Sequence, residues 1–273
     1  MNVSEAIRAA TARLAPTSDT ARLDAELLMA HALGCTRSEL LLRHLKAPAP
    51  DSFAPLVERR AGHEPVAYIT GTAEFYGLEL AVTPDVLIPR GDSETLVDAA
   101  LQVKPPPARL LDLGTGSGAL LLAMLTRLPQ ARGVALDRSA GALAVTTSNA
   151  RRLKLADRIE MMHADWHQPG WHEGLGAFDL VLCNPPYVEQ DAALEPSVRD
   201  HEPAGALFAG AEGLDDYRVL IPQLRALLNP GGTAIFEIGS TQGDAVAAMA
   251  AQHGFAAETR HDLAGRPRAL ILR

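Results

Sequence analysis

From Arg90 onward the chain alternates strand-like apolar runs with helical ones, and this alternation limits the possible folds more than any other feature. The spacing predicts a helix over 93–103, strands over 109–113, 133–137, 159–163 and 178–183, and helices over 117–128 and 139–153. A helix over 215–228, a strand over 233–238, a helix over 241–253 and two terminal strands complete the series. Strands separated by helices give an α/β fold with an open, mostly parallel sheet covered on both faces. The first strand runs into Leu110-Leu-Asp-Leu-Gly-Thr-Gly-Ser-Gly118, a glycine-rich turn that opens a helix. Such turns sit at the carboxyl edge of the sheet, where folds of this kind bind ligands.

Ahead of the alternation the pattern is different. Residues 4–14, 18–33, 40–45 and 51–62 read as short helices, with Gly34 as a stop, Thr36 and Glu39 as a capping box and Asp51 as a cap. Helices this short bury too little alone, so they are expected to pack as a bundle. Tyr68, Ile69 and then 74–82 alternate around Gly71 and Gly77 as a hairpin. The expected division is a helical domain at 1–65, a hairpin linker at 66–90 and the α/β domain at 91–273.

Composition narrows the class. With 273 residues, 25 Lys+Arg, 33 Asp+Glu and a net charge of -8, the chain can bury a core but lacks the basic runs of a nucleic-acid binder. The longest apolar run, 119–125, is too short to span a bilayer, and no secretory signal is visible at 1–14. Cys35 and Cys183 have no metal-ligand spacing and are expected to be buried and reduced, which suggests a cytoplasmic protein.

In the glycine turn, Gly114, Gly116 and Gly118 permit close approach of a ligand, and the helix end beginning with Thr115 and Ser117 offers N–H groups to an anion. Gly114, Gly116 and Ala119 also satisfy the dinucleotide pattern. Asp112, however, precedes the first glycine where it can accept from an ammonium group. A nucleoside carrying an α-amino acid, as in S-adenosylmethionine, uses both features. Asp137 lies 23 positions beyond Gly114, near the roughly 20 residues expected of a ribose-binding carboxylate. It can instead cap the next helix, but Ser139 is the better cap. Asp165 and Trp166 end the third strand, as an adenine site or as a loop Asp beside a packed Trp.

Asn184-Pro-Pro-Tyr187 follows the apolar strand 178–183 directly. Asn-Pro and Pro-Pro ordinarily mark a plain turn. Here the prolines Pro185 and Pro186 stiffen the backbone and leave aimed carbonyl acceptors beside the Asn184 amide, with the Tyr187 ring following. That set suits a planar nitrogen whose two hydrogens must be held.

Together, Asp112 to Gly118 and Asn184 to Tyr187 resemble the class I (Rossmann-like) methyltransferases that alkylate exocyclic or amide nitrogen. Further motifs resemble the release-factor glutamine methyltransferases (the PrmC/HemK family) over essentially the whole chain. These are Glu64-Pro-Val-Ala-Tyr-Ile-Thr-Gly71, Glu74-Phe-Tyr-Gly77, Val86-Leu-Ile-Pro-Arg-Gly-Asp-Ser-Glu94, Val198-Arg-Asp-His-Glu-Pro203 and Gly213-Leu-Asp-Asp-Tyr-Arg218. The sequence departs from the family in Gly91-Asp-Ser-Glu94 and in a short Asp262-Leu-Ala-Gly-Arg-Pro-Arg268, to which no function is assigned. The resemblance implies methyl transfer from S-adenosylmethionine, leaving S-adenosylhomocysteine, to the glutamine N5 of the Gly-Gly-Gln motif of peptide chain release factors. It implies Asn184, Pro185, Pro186 and Tyr187 as the catalytic turn, with Asp112, Gly114, Thr115, Gly116, Ser117, Gly118, Asp137, Asp165, Trp166 and Asn184 around the cofactor. It further implies a cytoplasmic monomer, a docking role for the N-terminal helices, and no metal, membrane or direct nucleic-acid partner. A nucleic-acid amino-methyltransferase and a non-catalytic nucleoside-binding protein are the competing readings, opposed by the acidic charge and by the intact 184–187 turn respectively.

Overall fold

The computed structural model describes all 273 residues, which form two compact units, Met1–Thr72 with Leu194–His201 and Ala73–Ala193 with Glu202–Arg273. In the first unit, Asn2 and Glu5 close a capping box on the helix Val3–Leu14. The helix Ala21–Leu33 stops at left-handed Gly34, and Thr36 and Glu39 form the expected capping box of the next turn. Leu40–His44 widens into a π-helix, and Phe53–Ala61 follows. Asp51 is not its cap: Ser52 holds that position, without a side-chain bond. Val3, Ile7, Leu14, Leu28, Met29, Leu40, Phe53 and Val57 share one core, so each helix hides its apolar stripe against the others. Tyr68 and Ile69 belong to a helical turn, Val66–Thr70, rather than to a hairpin, because Pro65 starts a helix there and left-handed Gly71 ends it.

The second unit opens with a hairpin, β1 (Thr72–Phe75) and β2 (Leu78–Ala81). Tyr76 and Gly77 join the strands with φ of 52° and 77°, the positive pair that a two-residue hairpin turn demands. The main sheet contains β3 (Arg109–Leu113), β4 (Arg132–Asp137), β5 (Ile159–His163), β6 (Phe178–Cys183), β7 (Leu228–Glu237), β8 (Ala257–His261) and β9 (Pro267–Leu272). Their order is β5-β4-β3-β6-β7-β9-β8, parallel from β5 to β7, with β9 antiparallel to both neighbours. Leu111, Leu113, Val181 and Cys183 enter one core while Leu110, Leu180 and Leu182 enter the other, the period-two alternation of a sheet covered on both faces.

Two further expectations need correction. The helix expected over 215–228 is broken into Asp215–Leu220, a 3₁₀ turn Ile221–Gln223 and Leu224–Leu227, since Pro222 has no N–H to continue the ladder. Cys183 is buried as expected, but Cys35 is only half-buried; both thiols are free. No helix is long and apolar enough to cross a membrane. The strand order reverses at the β3–β6 junction, and the carboxyl ends of these two strands open the crevice in which a sheet of this type places its ligand.

Candidate active site

That crevice is a cavity of about 190 Å³. Asp112, Gly114, Thr115, Gly116, Ser117, Asp137, Trp166, Asn184 and Pro186 border it. Gly118, Asp165, Pro185 and Tyr187, singled out with them, do not. Further wall comes from the Val86 to Glu94 motif, through Val86, Leu87, Pro89, Arg90 and Ser93, and from Pro203, Gly205 and Ala206 at the end of the Val198 to Pro203 motif and just beyond it.

The glycine turn is built by β4 and the helix Ala140–Arg152. Gly114 and Thr115 donate their N–H groups to the Leu136 carbonyl at 2.8 and 3.0 Å. Gly114 has a φ of 72°, and a Cβ on it would stand 3.1 Å from the Trp166 ring, so only glycine fits without displacing the indole. Asp112 is 1% exposed, accepts from Thr115 Oγ1 at 2.7 Å and faces no cation of the chain. Burial, reinforced by the neighbouring Asp137 charge, raises its carboxyl from 3.8 to about 7. Asp137 accepts from the backbone N–H groups of Gly116 at 3.0 Å and Ser139 at 2.8 Å, which aims its carboxylate and leaves a second lone pair on each oxygen. Ser139, not Asp137, caps the helix, accepting from Ala142 N.

Trp166 is 6% exposed and donates Nε1–H to Asp216 at 2.6 Å, with His167 Nε2 on the same oxygen at 3.0 Å. Asp165 instead accepts from the His167 N–H and closes a local turn. In the 184–187 turn the prolines are buried, and the half-buried Asn184 amide and the Pro185 carbonyl make no hydrogen bond within the chain. Tyr187 is half-buried, its hydroxyl donating to Glu237 at 3.0 Å and its carbonyl accepting from Gln242 Nε2 at 3.0 Å. Burial pushes the phenol pKa up, and the Glu237 charge adds to it. Arg90 pairs with the buried Glu202, which also accepts from Ile88 N, so two distant motifs meet on the cavity wall.

Several supporting residues carried no isolated signal in the sequence. Fully buried Asn149 donates to the carbonyls of Ser117 and Ala81 at 2.9 Å each and accepts from Ala81 N at 2.7 Å. Thr146 Oγ1, one turn earlier, donates to the Gly116 carbonyl at 2.8 Å. A polar pair three residues apart on a buried helix face was the available clue. Gln242 and Asp216 act similarly, and a Cβ at Gly213 would stand 2.2 Å from the Tyr187 carbonyl.

The seven-stranded sheet, its reversed β9 and the crevice beyond β3 and β6 define a class I methyltransferase. Solved structures agree on the fold: an O-methyltransferase family protein from Burkholderia thailandensis superposes with a TM-score of 0.53 at 16% identity, covering 95% of this chain and 96% of its own. A methyltransferase from Pyrococcus furiosus gives 0.51 at 15% identity, covering 72% and 88%. Residues 5–71 match the PrmC N-terminal domain and residues 92–201 the methyltransferase small domain. Release factor glutamine methyltransferases from Cereibacter sphaeroides and Moorella thermoacetica are each 41% identical, the first over 100% of this chain and 99% of its own, the second over 99% and 98%. The chain belongs to the release factor glutamine methyltransferase family.

Proposed function

We propose that this chain transfers the methyl group of S-adenosylmethionine to the side-chain amide nitrogen of the glutamine in the Gly-Gly-Gln motif of peptide chain release factors. The observation that carries the reading is the Asn184 amide, bonded to nothing in the chain, on the wall of the cavity that the glycine turn also borders. The full-length relatives named above support the choice of acceptor.

The residues fit the cofactor. Asp112 is a buried carboxylate with no cation opposite it, as an ammonium-binding site requires. Asp137 would meet the ribose, the turn from Gly114 to Gly118 the carboxylate end, and the Trp166 ring the base. Bound there, S-adenosylmethionine supplies an electrophilic methyl group on its sulfonium.

An amide nitrogen is a poor nucleophile because its lone pair is delocalised into the carbonyl. The Asn184 side-chain oxygen and the Pro185 carbonyl accept its two hydrogens, turn the lone pair out of conjugation and aim it, while Tyr187 packs against the acceptor side chain. Alignment of this kind supplies roughly 7 to 11 kcal/mol, and fixed dipoles add a further share. No acid–base dyad is required, since the proton departs after alkylation. The helical unit holds the rest of the release factor, and the enzyme acts as a cytoplasmic monomer with no direct nucleic-acid or membrane partner.

The test is to incubate the chain with methyl-labelled S-adenosylmethionine and, separately, release factor and DNA, and to locate the label by mass spectrometry. Label on the Gly-Gly-Gln glutamine is expected. Label on DNA, or on nothing, overturns the reading.

A further inference from the structure

Behind the 184–187 turn lies a buried polar group that the chemistry above does not use. Glu237, the last residue of β7, is 1% exposed and accepts the Tyr187 hydroxyl hydrogen at 3.0 Å. Arg268 on β9, also buried, places Nη1 3.4 Å from the same hydroxyl and 3.9 Å from Glu237 Oε1. Its Nη2 pairs with Asp92 at 3.0 Å and lies 3.6 Å from Asp262. Arg268 Nε is buried here without a hydrogen-bond partner.

A buried, incompletely satisfied ion pair is weak at stabilising a fold, and an apolar set of the same volume often does better. Its side-chain hydrogen bonds to the 184–187 turn both go to the Tyr187 hydroxyl. The backbone end of Tyr187 is already fixed, its carbonyl by Gln242 and the following Val188 N–H by the Leu207 carbonyl at 2.8 Å. Holding the hydroxyl as well fixes the ring at both ends.

We infer that Glu237 is a positioning residue that sets the Tyr187 ring for the acceptor, with Arg268 and Asp92 holding Glu237 in place. The short C-terminal motif, Asp262 to Arg268, thereby acquires a role: it carries the arginine that keeps a carboxylate oriented behind the turn. The inference rests on the methyl-transfer reading.

The test uses the full chain, S-adenosylmethionine and a release-factor acceptor. Glu237→Ala is expected to lower kcat by about ten-fold or more with the cofactor Kd within about two-fold. Glu237→Gln, which keeps an oxygen for the hydroxyl, restores kcat to within about three-fold. Tyr187→Phe reproduces the loss, and the double variant is no slower than either single one. Independently of turnover, the ¹³Cζ signal of Tyr187, assigned by its absence in Tyr187→Phe, shifts in Glu237→Ala and returns in Glu237→Gln. An unshifted signal, or losses that multiply in the double variant, overturns the inference. If Glu237→Ala does not fold, Tyr187→Phe decides: wild-type kcat overturns it. A wild-type chain that methylates nothing defeats the function reading while leaving the ¹³C test in force.

Discussion

Asp112 is the residue on which the pH behaviour of the site turns. Its folded-state pKa of about 7 lies above the ordinary 3.8, so the folded chain holds this proton more tightly than the unfolded one. Its contribution to stability is complete below about pH 4 and is lost as the pH rises to 7, a cost of about 4 kcal/mol once the group is ionised. An ammonium ligand needs the ionised form. Cofactor affinity is therefore expected to tighten about ten-fold from pH 6 to pH 8, and Asp112→Asn to abolish that dependence while raising the denaturation midpoint at pH 8, both readable by calorimetry. Asn184→Ala is expected to lower kcat by about a hundred-fold or more with cofactor Kd changed only a few-fold; near-normal turnover would sink the alignment mechanism. At this scale Asp112, the glycines and the 184–187 turn were legible because each departs from its surroundings, a charge or a rigid turn closing an apolar strand. Asp165 carries the same strand-end signal; one of its oxygens accepts from the His167 N–H in a local turn, and the residue lies off the cavity wall.

Among the elements, the helix Ala140–Arg152 joins the hairpin to the glycine turn. Asn149 satisfies both half-buried backbone groups of Ala81 and the buried Ser117 carbonyl, so Asn149→Ala leaves all three without this partner. A loss of about 2 to 4 kcal/mol is expected in urea unfolding, with weaker cofactor binding, since the turn loses one of its anchors. Strands β3, β4, β5 and β6 could be read from sequence almost to the residue, because short apolar-rich runs set between helical stretches admit few other states. The 66–70 segment and the 215–228 helix were misread where Pro65 and Pro222 decide the geometry, the first by starting a helix and the second by interrupting one. The tethers through Asn149, Gln242 and Asp216 join positions tens of residues apart, and no local pattern encodes such pairings.

For the whole molecule, every residue on the cavity wall belongs to the second unit, while the first has its own core. Saturating S-adenosylmethionine is therefore expected to slow amide hydrogen exchange in β3, β4 and β6 by a stabilisation of about 2.7 kcal/mol at one hundred times Kd, leaving Val3–Leu14 and Ala21–Leu33 unchanged. Equal protection of both units would contradict this. The broad architecture was legible because alternation of strands and helices leaves few topologies, whereas the inclusion of Leu194–His201 with the first unit had no sequence signature. In the sheet, β3 and β6 are adjacent and in register, Leu113 opposite Cys183, with Gly114 and Asn184 next along the two strands. Their separation is set by the backbone ladder, about 4.8 Å between strands. The two loops therefore start side by side, at a spacing set by the sheet and not by the sequence of either loop.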